Sequence, residues 1–254
     1  MSTKYRRLTQ LVPPQAPSLP SRHGTKRALA FTFGLIAPSA LFAANVAGNP
    51  QVAAGSVNFS QQGNIRTIEQ QSGAAIINWS DFSIKAGDIT RFVQPGVNSA
   101  VLNRVLGANP SLLNGRLQAN GSVYLINPNG VVVGPQGRID VGAFFASTLD
   151  ISDHDFLRGG DLLLRGDSRA GVENLGTINA SSGDVMLIAY TTRNSGTVCA
   201  PAGTVGLAAG SEVLLTEKGD QRLLVRSGVS ADKLAAGVEN SGLLDAAEFL
   251  GVVG

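Results

Sequence analysis

The sequence predicts an all-β chain wound as a parallel β-solenoid, and three observations carry that prediction. Beyond the first 48 residues, apolar positions alternate in short runs punctuated by Gly and Asn, with little helical periodicity. Three runs share a Gly-x-Val-x-Leu pattern: Gly121-Ser122-Val123-Tyr124-Leu125, Gly183-Asp184-Val185-Met186-Leu187 and Gly203-Thr204-Val205-Gly206-Leu207. An Asn-x-Gly segment recurs as Asn174-Leu175-Gly176-Thr177-Ile178-Asn179-Ala180, Asn194-Ser195-Gly196-Thr197-Val198-Cys199-Ala200 and, more weakly, Asn240-Ser241-Gly242-Leu243-Leu244-Asp245-Ala246.

The spacing of these echoes sets the expected coil. Position 174 to 194 is a step of 20 residues, and Gly183 to Gly203 repeats it. The longer steps then read as multiples: 194 to 240 as two coils, 137 to 176 as two, and 121 to 183 as three. One such coil cannot bury its inward Val, Ile and Leu, but stacked coils form a continuous apolar column. Asn at successive corners can stack side chain on side chain or simply tolerate a left-handed backbone; both readings stand. A leucine-rich repeat is disfavoured because Leu-x-x-Leu-x-Leu is missing, and an antiparallel sandwich is the second choice.

Taken in order, the chain opens with a leader, residues 1–48. Lys4, Arg6, Arg7, Arg22, Lys26 and Arg27 precede an uncharged run from Ala28 to Ala44 that Gly34 and Pro38 interrupt. A basic flank, a short apolar segment and a small-residue exit predict a secretory signal peptide cleaved between Ala43 and Gly48, in preference to a membrane anchor. Ile77-Asn78-Trp79-Ser80-Asp81-Phe82-Ser83-Ile84 alternates with period two and turns Ile77, Trp79 and Ile84 toward a packed face, with Trp79 as a core anchor. Phe92-Val93-Gln94-Pro95-Gly96 is a strand entering a turn, and Val101–Val105 is another strand. Asn127-Pro128-Asn129-Gly130 lies between two apolar runs and has turn chemistry throughout: Asn127 to cap, Pro128 to preset φ, Asn129 to accept a left-handed backbone, Gly130 to exit. Residues 155–167 interrupt the repeat and are expected as a loop or outward hairpin. No cap follows the last coil, so the chain reads as the front of a longer protein or as truncated.

Charge and chemistry exclude several functions. The 20 basic and 18 acidic residues fall to 14 and 18 once the leader's six cations are removed, so the pI of 8.9 belongs to the leader and nucleic acid is not an expected partner. Cys199 is the only cysteine, which rules out an intramolecular disulfide and a cysteine metal cluster. Asp153-His154-Asp155 is the only suggestive trio and reads as a solvated loop, with no second histidine beyond the leader. Arg66, Arg91, Arg104 and Arg116 read as surface charges, and Glu173 and Glu239 as repeat positions. No Ser/His/Asp set, phosphate loop or nucleotide fingerprint is present. No catalytic, cofactor or metal residue is therefore assigned, and the chain is not expected to be an enzyme.

The ordered series of Ile77–Ile84, Phe92–Gly96, Ser99–Val105, Leu117–Leu125, Leu125–Gly134 and Gly142–Ile151 resembles the two-partner secretion domain. That domain is the N-terminal segment of exported bacterial proteins such as filamentous haemagglutinin and the high-molecular-weight adhesins. The likeness is nearer the branch of those adhesins and the haemopexin-binding proteins, because a second Asn-Pro-Asn turn ending in Leu is missing. Asn109-Pro110-Ser111-Leu112 departs from it and receives no recognition role. The resemblance implies a right-handed parallel β-helix with an N-terminal cap and extra-helical strands. It implies residues 1–48 as signal peptide and 49–254 as secretion domain, with cap and core at about 49–170 and coils at 171–254. Expected partners are the Sec machinery and an outer-membrane β-barrel transporter whose periplasmic domains recognise the chain before it folds outside the cell. Asn127, Pro128, Asn129 and Gly130 are then either a motif read by the transporter or a corner needed for folding. The rival functions are a direct adhesin contacting host receptor or glycan and, further off, a carbohydrate-active β-helix enzyme.

Overall fold

A computed structural model describes residues 48–216, 223–226 and 237–253. The leader assigned to residues 1–48 lies outside them, apart from Gly48. Antiparallel strands come first: β1 (Gln51–Ala54) and β2 (Val57–Gln62). The first coil is β3 (Ile65–Gln70) and β4 (Ala74–Trp79), completed by a bridge at Ile84. The second is β5 (Ile89–Val93), β6 (Ala100–Val105) and β7 (Ser111–Leu113), and the third is β8 (Arg116–Ala119), β9 (Ser122–Ile126) and β10 (Val131–Val133). The fourth carries β11 (Arg138–Val141) and β12 (Ala143–Ser147), then α1 (Asp153–Arg158) and β13 (Leu162–Arg165) as an insertion, then β14 (Gly171–Asn174). The fifth is β15 (Thr177–Ala180), β16 (Val185–Ala189) and β17 (Thr191–Asn194). The sixth has one long strand, β18 (Thr197–Ala209), an insertion bearing β19 (Glu212–Leu215) and β20 (Leu223–Arg226), and β21 (Gly237–Asn240). β22 (Leu243–Val253) begins the seventh.

Every coil-to-coil pairing is parallel, which excludes the antiparallel sandwich and makes the chain a parallel β-helix. One face stacks β3, β5, β8, β11, β15 and the start of β18; a second stacks β4, β6, β9, β12, β16 and the end of β18; a third stacks β7, β10, β14, β17 and β21. Among the described strands of the helix only β1 on β4 and β2 on β3 run antiparallel, so these two strands cap its first coil. Alternation places Ile77, Trp79, Val101, Val123, Leu125, Phe144, Val185, Leu187, Val205 and Leu207 in one buried column. Phe59 of the cap meets Trp79 edge-on at 6.0 Å, which closes the column at that end. Among the described residues no helix is long and apolar enough to cross a membrane.

Three of the expected coil counts need correction. Thr177 stacks directly on Arg138, so that 39-residue step is one coil, not two. Thr197 stacks directly on Leu243, so the 46-residue step is also one coil. On the second face only β12 lies between β9 and β16, so the interval from Gly121 to Gly183 is two coils rather than three. Spacing counts residues, whereas a coil can gain an excursion at a corner without gaining height. The bare coil is the 20-residue step, seen between Asn174 and Asn194.

The interruption at residues 155–167 is neither a loop nor a hairpin. Ser152 caps α1 by accepting from the Asp155 N–H, Gly159 closes it at φ 72°, and β13 then pairs with β19 of the other insertion. The resulting antiparallel sheet, β13-β19-β20, supplies the extra-helical strands. Two arginines also depart from expectation. Arg66 is only 6% exposed; its guanidinium lies 5.2 Å from the Trp79 ring centre and 5.8 Å from that of Phe82, and donates to the Ser83 carbonyl. Burial holds its pKa below the ordinary arginine value, against the pull of Asp81 and Asp88. Arg104 is a clamp: it bonds Asp150 at 2.9 Å, Asp153 at 2.7 Å and the Ile151 carbonyl. Arg91 and Arg116 are on the surface as expected.

Candidate recognition corner

The Asn127–Gly130 turn links β9 to β10 at the corner between the second and third faces. Asn127 is fully buried and every polar group it carries is bonded. Its N–H donates to the Ser147 carbonyl of the next coil at 2.9 Å, and its own carbonyl accepts from Gly130 N at 3.0 Å. Its side-chain oxygen accepts from the Asn129 N–H at 2.9 Å, closing an Asx turn. Its side-chain amide donates at 3.0 Å to both the Asn109 carbonyl and Ser111 Oγ of the coil below. Gly130, at φ 112°, occupies backbone space that a side chain rarely enters, and its carbonyl accepts from Ser111 N. Asn127 and Gly130 thus hold the corner from within.

Pro128 and Asn129 are exposed on the outside of the same turn. Asn129 does not adopt the left-handed backbone expected of it; among described non-glycine residues only Asn49 has a positive φ. Its value lies in its side chain, whose amide donates to the Gly107 carbonyl at 2.8 Å. Ser168, from the fourth coil's insertion, donates its hydroxyl to the Pro128 carbonyl. Sequence reasoning missed these partners, Gly107, Asn109, Ser111 and Ser168. One signal was available: Asn-Pro occurs at 109 and again at 127, with the later Asn bonded to the earlier one. The segment denied a recognition role is the seat on which the turn rests.

The turn and its seat are themselves uncharged, with exposed Asp167 and Arg169 on either side of Ser168 beside them. No ionisable residue occurs in 106–112 or 125–134, and Leu106 and Leu112 are 66% and 44% exposed. A partner on the turn and its seat meets chiefly apolar surface and amides.

The rest of the surface offers less. Asp153 serves the Arg104 clamp, and Asp155 donates its N–H to the capping Ser152 and pairs through its carboxylate with Arg158 and His154, so the trio belongs to a helix start rather than to the expected loop. Hydrogen bonding to Ser152 and His154 keeps the Asp155 carboxyl below its usual pKa. Among the described residues no three His, Cys, Asp or Glu side chains group as metal ligands. Half-buried Cys199 lies 3.7 Å from Asp245, and burial followed by that carboxylate raises its thiol pKa away from the reactive range. A cavity of about 110 Å³ between Tyr124, Phe145, Met186, Leu162 and Leu215 is a gap beneath the extra-helical sheet.

Comparison with known proteins agrees with this architecture. The family model of the TPS secretion domain matches residues 44–249. A heme/hemopexin-binding protein of Haemophilus influenzae is 43% identical over 100 residues, 39% of this chain and 11% of that protein. A second protein so described, also from Haemophilus influenzae, is 42% identical over 85 residues, 34% of this chain and 9% of its own length. The chain therefore spans about a tenth of these relatives. The crystal structure of the HMW1 secretion domain from Haemophilus influenzae superposes with a TM-score of 0.67 at 29% identity, covering 79% of this chain and 56% of that one.

Proposed function

Because the chain belongs to the TPS secretion domain family, a family of secretion domains rather than of enzymes, we propose that residues 49–254 are the export tag of a larger surface protein. An outer-membrane transporter is the partner of such domains, and passage through the outer membrane is their destination. Residues 1–48 act as the signal that delivers the chain to the periplasm through Sec and is then removed. The transporter's periplasmic domains capture the chain before it coils, and the β-helix closes on the far side, so that each coil formed opposes return.

Within this reading the Asn127–Gly130 turn has two roles at different times. In the unfolded chain all four residues are open to a partner. In the folded chain the Asn127 amide is sealed by five hydrogen bonds to Ser147, Asn109, Ser111 and Asn129, and only Pro128 and Asn129 face outward. That burial is the observation carrying the proposal: folding withdraws the recognised amide and releases the transporter without a nucleotide. The heme/hemopexin binding in the relatives' descriptions, like any contact with host surface or glycan, is assigned to the parts of such proteins outside this span.

The test is export in cells with and without the cognate transporter. Full-length protein reaches the medium or surface only with the transporter, and deletion of residues 49–254 abolishes this while the chain still enters the periplasm. Normal export of the deleted protein with loss of adhesion would instead support the direct adhesin.

A further inference from the structure

A simple solenoid is stabilised by neighbouring coils alone and frays from its ends. This one carries a strap across its second face. The strap consists of α1 and β13 from the fourth coil and β19 and β20 from the sixth, and neither insertion can form it without the other. Arg165 of β13 pairs with Glu212 of β19 at 2.9 Å, 47 residues further along the chain. Leu162, Leu164, Val213 and Leu215 turn inward and share one buried cluster with Ile76, Leu102, Ile126, Met186, Ile188 and Ala208. Those six residues come from the first, second, third, fifth and sixth coils. Arg104 of the second coil grips Asp150, Ile151 and Asp153 at the root of α1, and Phe156 of α1 meets Tyr124 of the third coil edge-on at 5.2 Å. One small extra-helical unit therefore touches coils along most of the described helix.

We propose that this strap is a late-closing latch that converts the first six coils from a fraying stack into one cooperative unit. The argument rests on chain order. The coils before the fourth can stack as soon as they emerge, but β13 has no strand partner until β19 has emerged as well. Until then the apolar face of β13 and the ladder under it lack their cover. Once β19 docks, opening any of the first six coils means disturbing the shared cluster. The role in preventing return through the outer membrane rests on the export reading; the coupling itself is a property of the folded chain.

The single tryptophan makes the coupling measurable. Trp79 fluorescence reports the first coil, and far-UV circular dichroism reports all of them. In urea, the full chain should show the two transitions superimposed. Leu164→Ala with Val213→Ala, which empties the centre of the cluster, should part the midpoints by about 1 M or more, with dichroism lost first. Adding Leu163→Cys and Leu214→Cys, a registered β13–β19 pair, in a Cys199→Ser background should bring the transitions together again when oxidised and part them when reduced. If the double alanine variant does not fold, the oxidised and reduced cysteine pair without the alanines is compared by hydrogen exchange across the first six coils; stronger protection on oxidation reaching the first coil supports the latch. Transitions that stay superimposed in the alanine variant, or protection confined to β13 and β19, would overturn it. In cells the alanine variant should still bind the transporter but accumulate less outside, whereas loss of transporter binding would indict the export reading instead.

Discussion

The side-chain amide of Asn174 donates to the side-chain oxygen of Asn194 one coil further on, at 2.7 Å, where both residues are fully buried. Asn194 repeats the bond to Asn240 at 2.8 Å. None of the three has a positive φ, so the recurring corner Asn is there for stacking and not for a left-handed turn. Replacing Asn194 by Ala leaves the Asn174 amide with its longer bond to the Thr197 carbonyl alone. The expected loss is about 1–3 kcal/mol, read from the urea midpoint, and Asn240→Ala, which removes the acceptor of the Asn194 amide nearer the exposed end, should cost less than Asn194→Ala.

The glycine of the same repeat is needed for a different reason. A Cβ at Gly196 would strike the Gly176 carbonyl below it, and one at Gly242 would strike that of Gly196. Gly196→Ala should therefore destabilise by about 1–3 kcal/mol through forced separation of coils. Gly237→Ala, where no atom lies within 4 Å, should be neutral or stabilise by a few tenths of a kcal/mol, on the order expected from chain entropy alone. Equal thermal shifts for both would contradict the close-packed corner.

Acid stability should trace partly to Asp140. Burial disfavours its charge, but hydrogen bonds from Arg138 and Asn179 and the nearby charges of Arg138 and Arg116 outweigh that and hold its pKa below the ordinary value. A depressed folded pKa gives stability that is fully present above the unfolded pKa of about 3.9 and is lost as pH falls through the folded value. Asp140→Asn should flatten the stability curve below about pH 4 and change neutral stability by less than about 1 kcal/mol, since the carboxylate is partly solvated. Urea titrations at pH 3 and pH 7 check this.

At the Asn127–Gly130 corner, Asn127→Asp should slow or prevent folding, because a carboxylate cannot donate to Asn109 and Ser111 and would be buried there. Pro128→Ala with Asn129→Ala should fold with a modest loss yet bind the transporter less well. Capture should also vary little between 50 mM and 500 mM salt, because segments 106–112 and 125–134 carry no ionisable residue. Capture that collapses with salt would point to a different surface.

Much of this architecture was readable from residues alone, because a β-helix writes itself locally. Gly-x-Val-x-Leu runs face the column, Trp79 anchors it at 1% exposure, and the Asn-x-Gly corners mark three successive windings. The misreadings share one cause, which is that contacts across coils leave no local pattern. The insertions that lengthen two coils look like missing repeats, since their strands β13 and β19 find each other only in space. Arg66 looks like a surface charge because the rings that accept it lie 13 and 16 positions away. Asn109 was legible only as a broken motif, although it carries the carbonyl that seats Asn127.

The most direct measurement is capture of this chain by the periplasmic domains of its transporter during refolding from urea, with Trp79 fluorescence recorded in the same sample. The account predicts that binding is strong to the unfolded chain and falls as Trp79 becomes buried, with release tracking the fluorescence. Undiminished binding to the fully folded β-helix would contradict it.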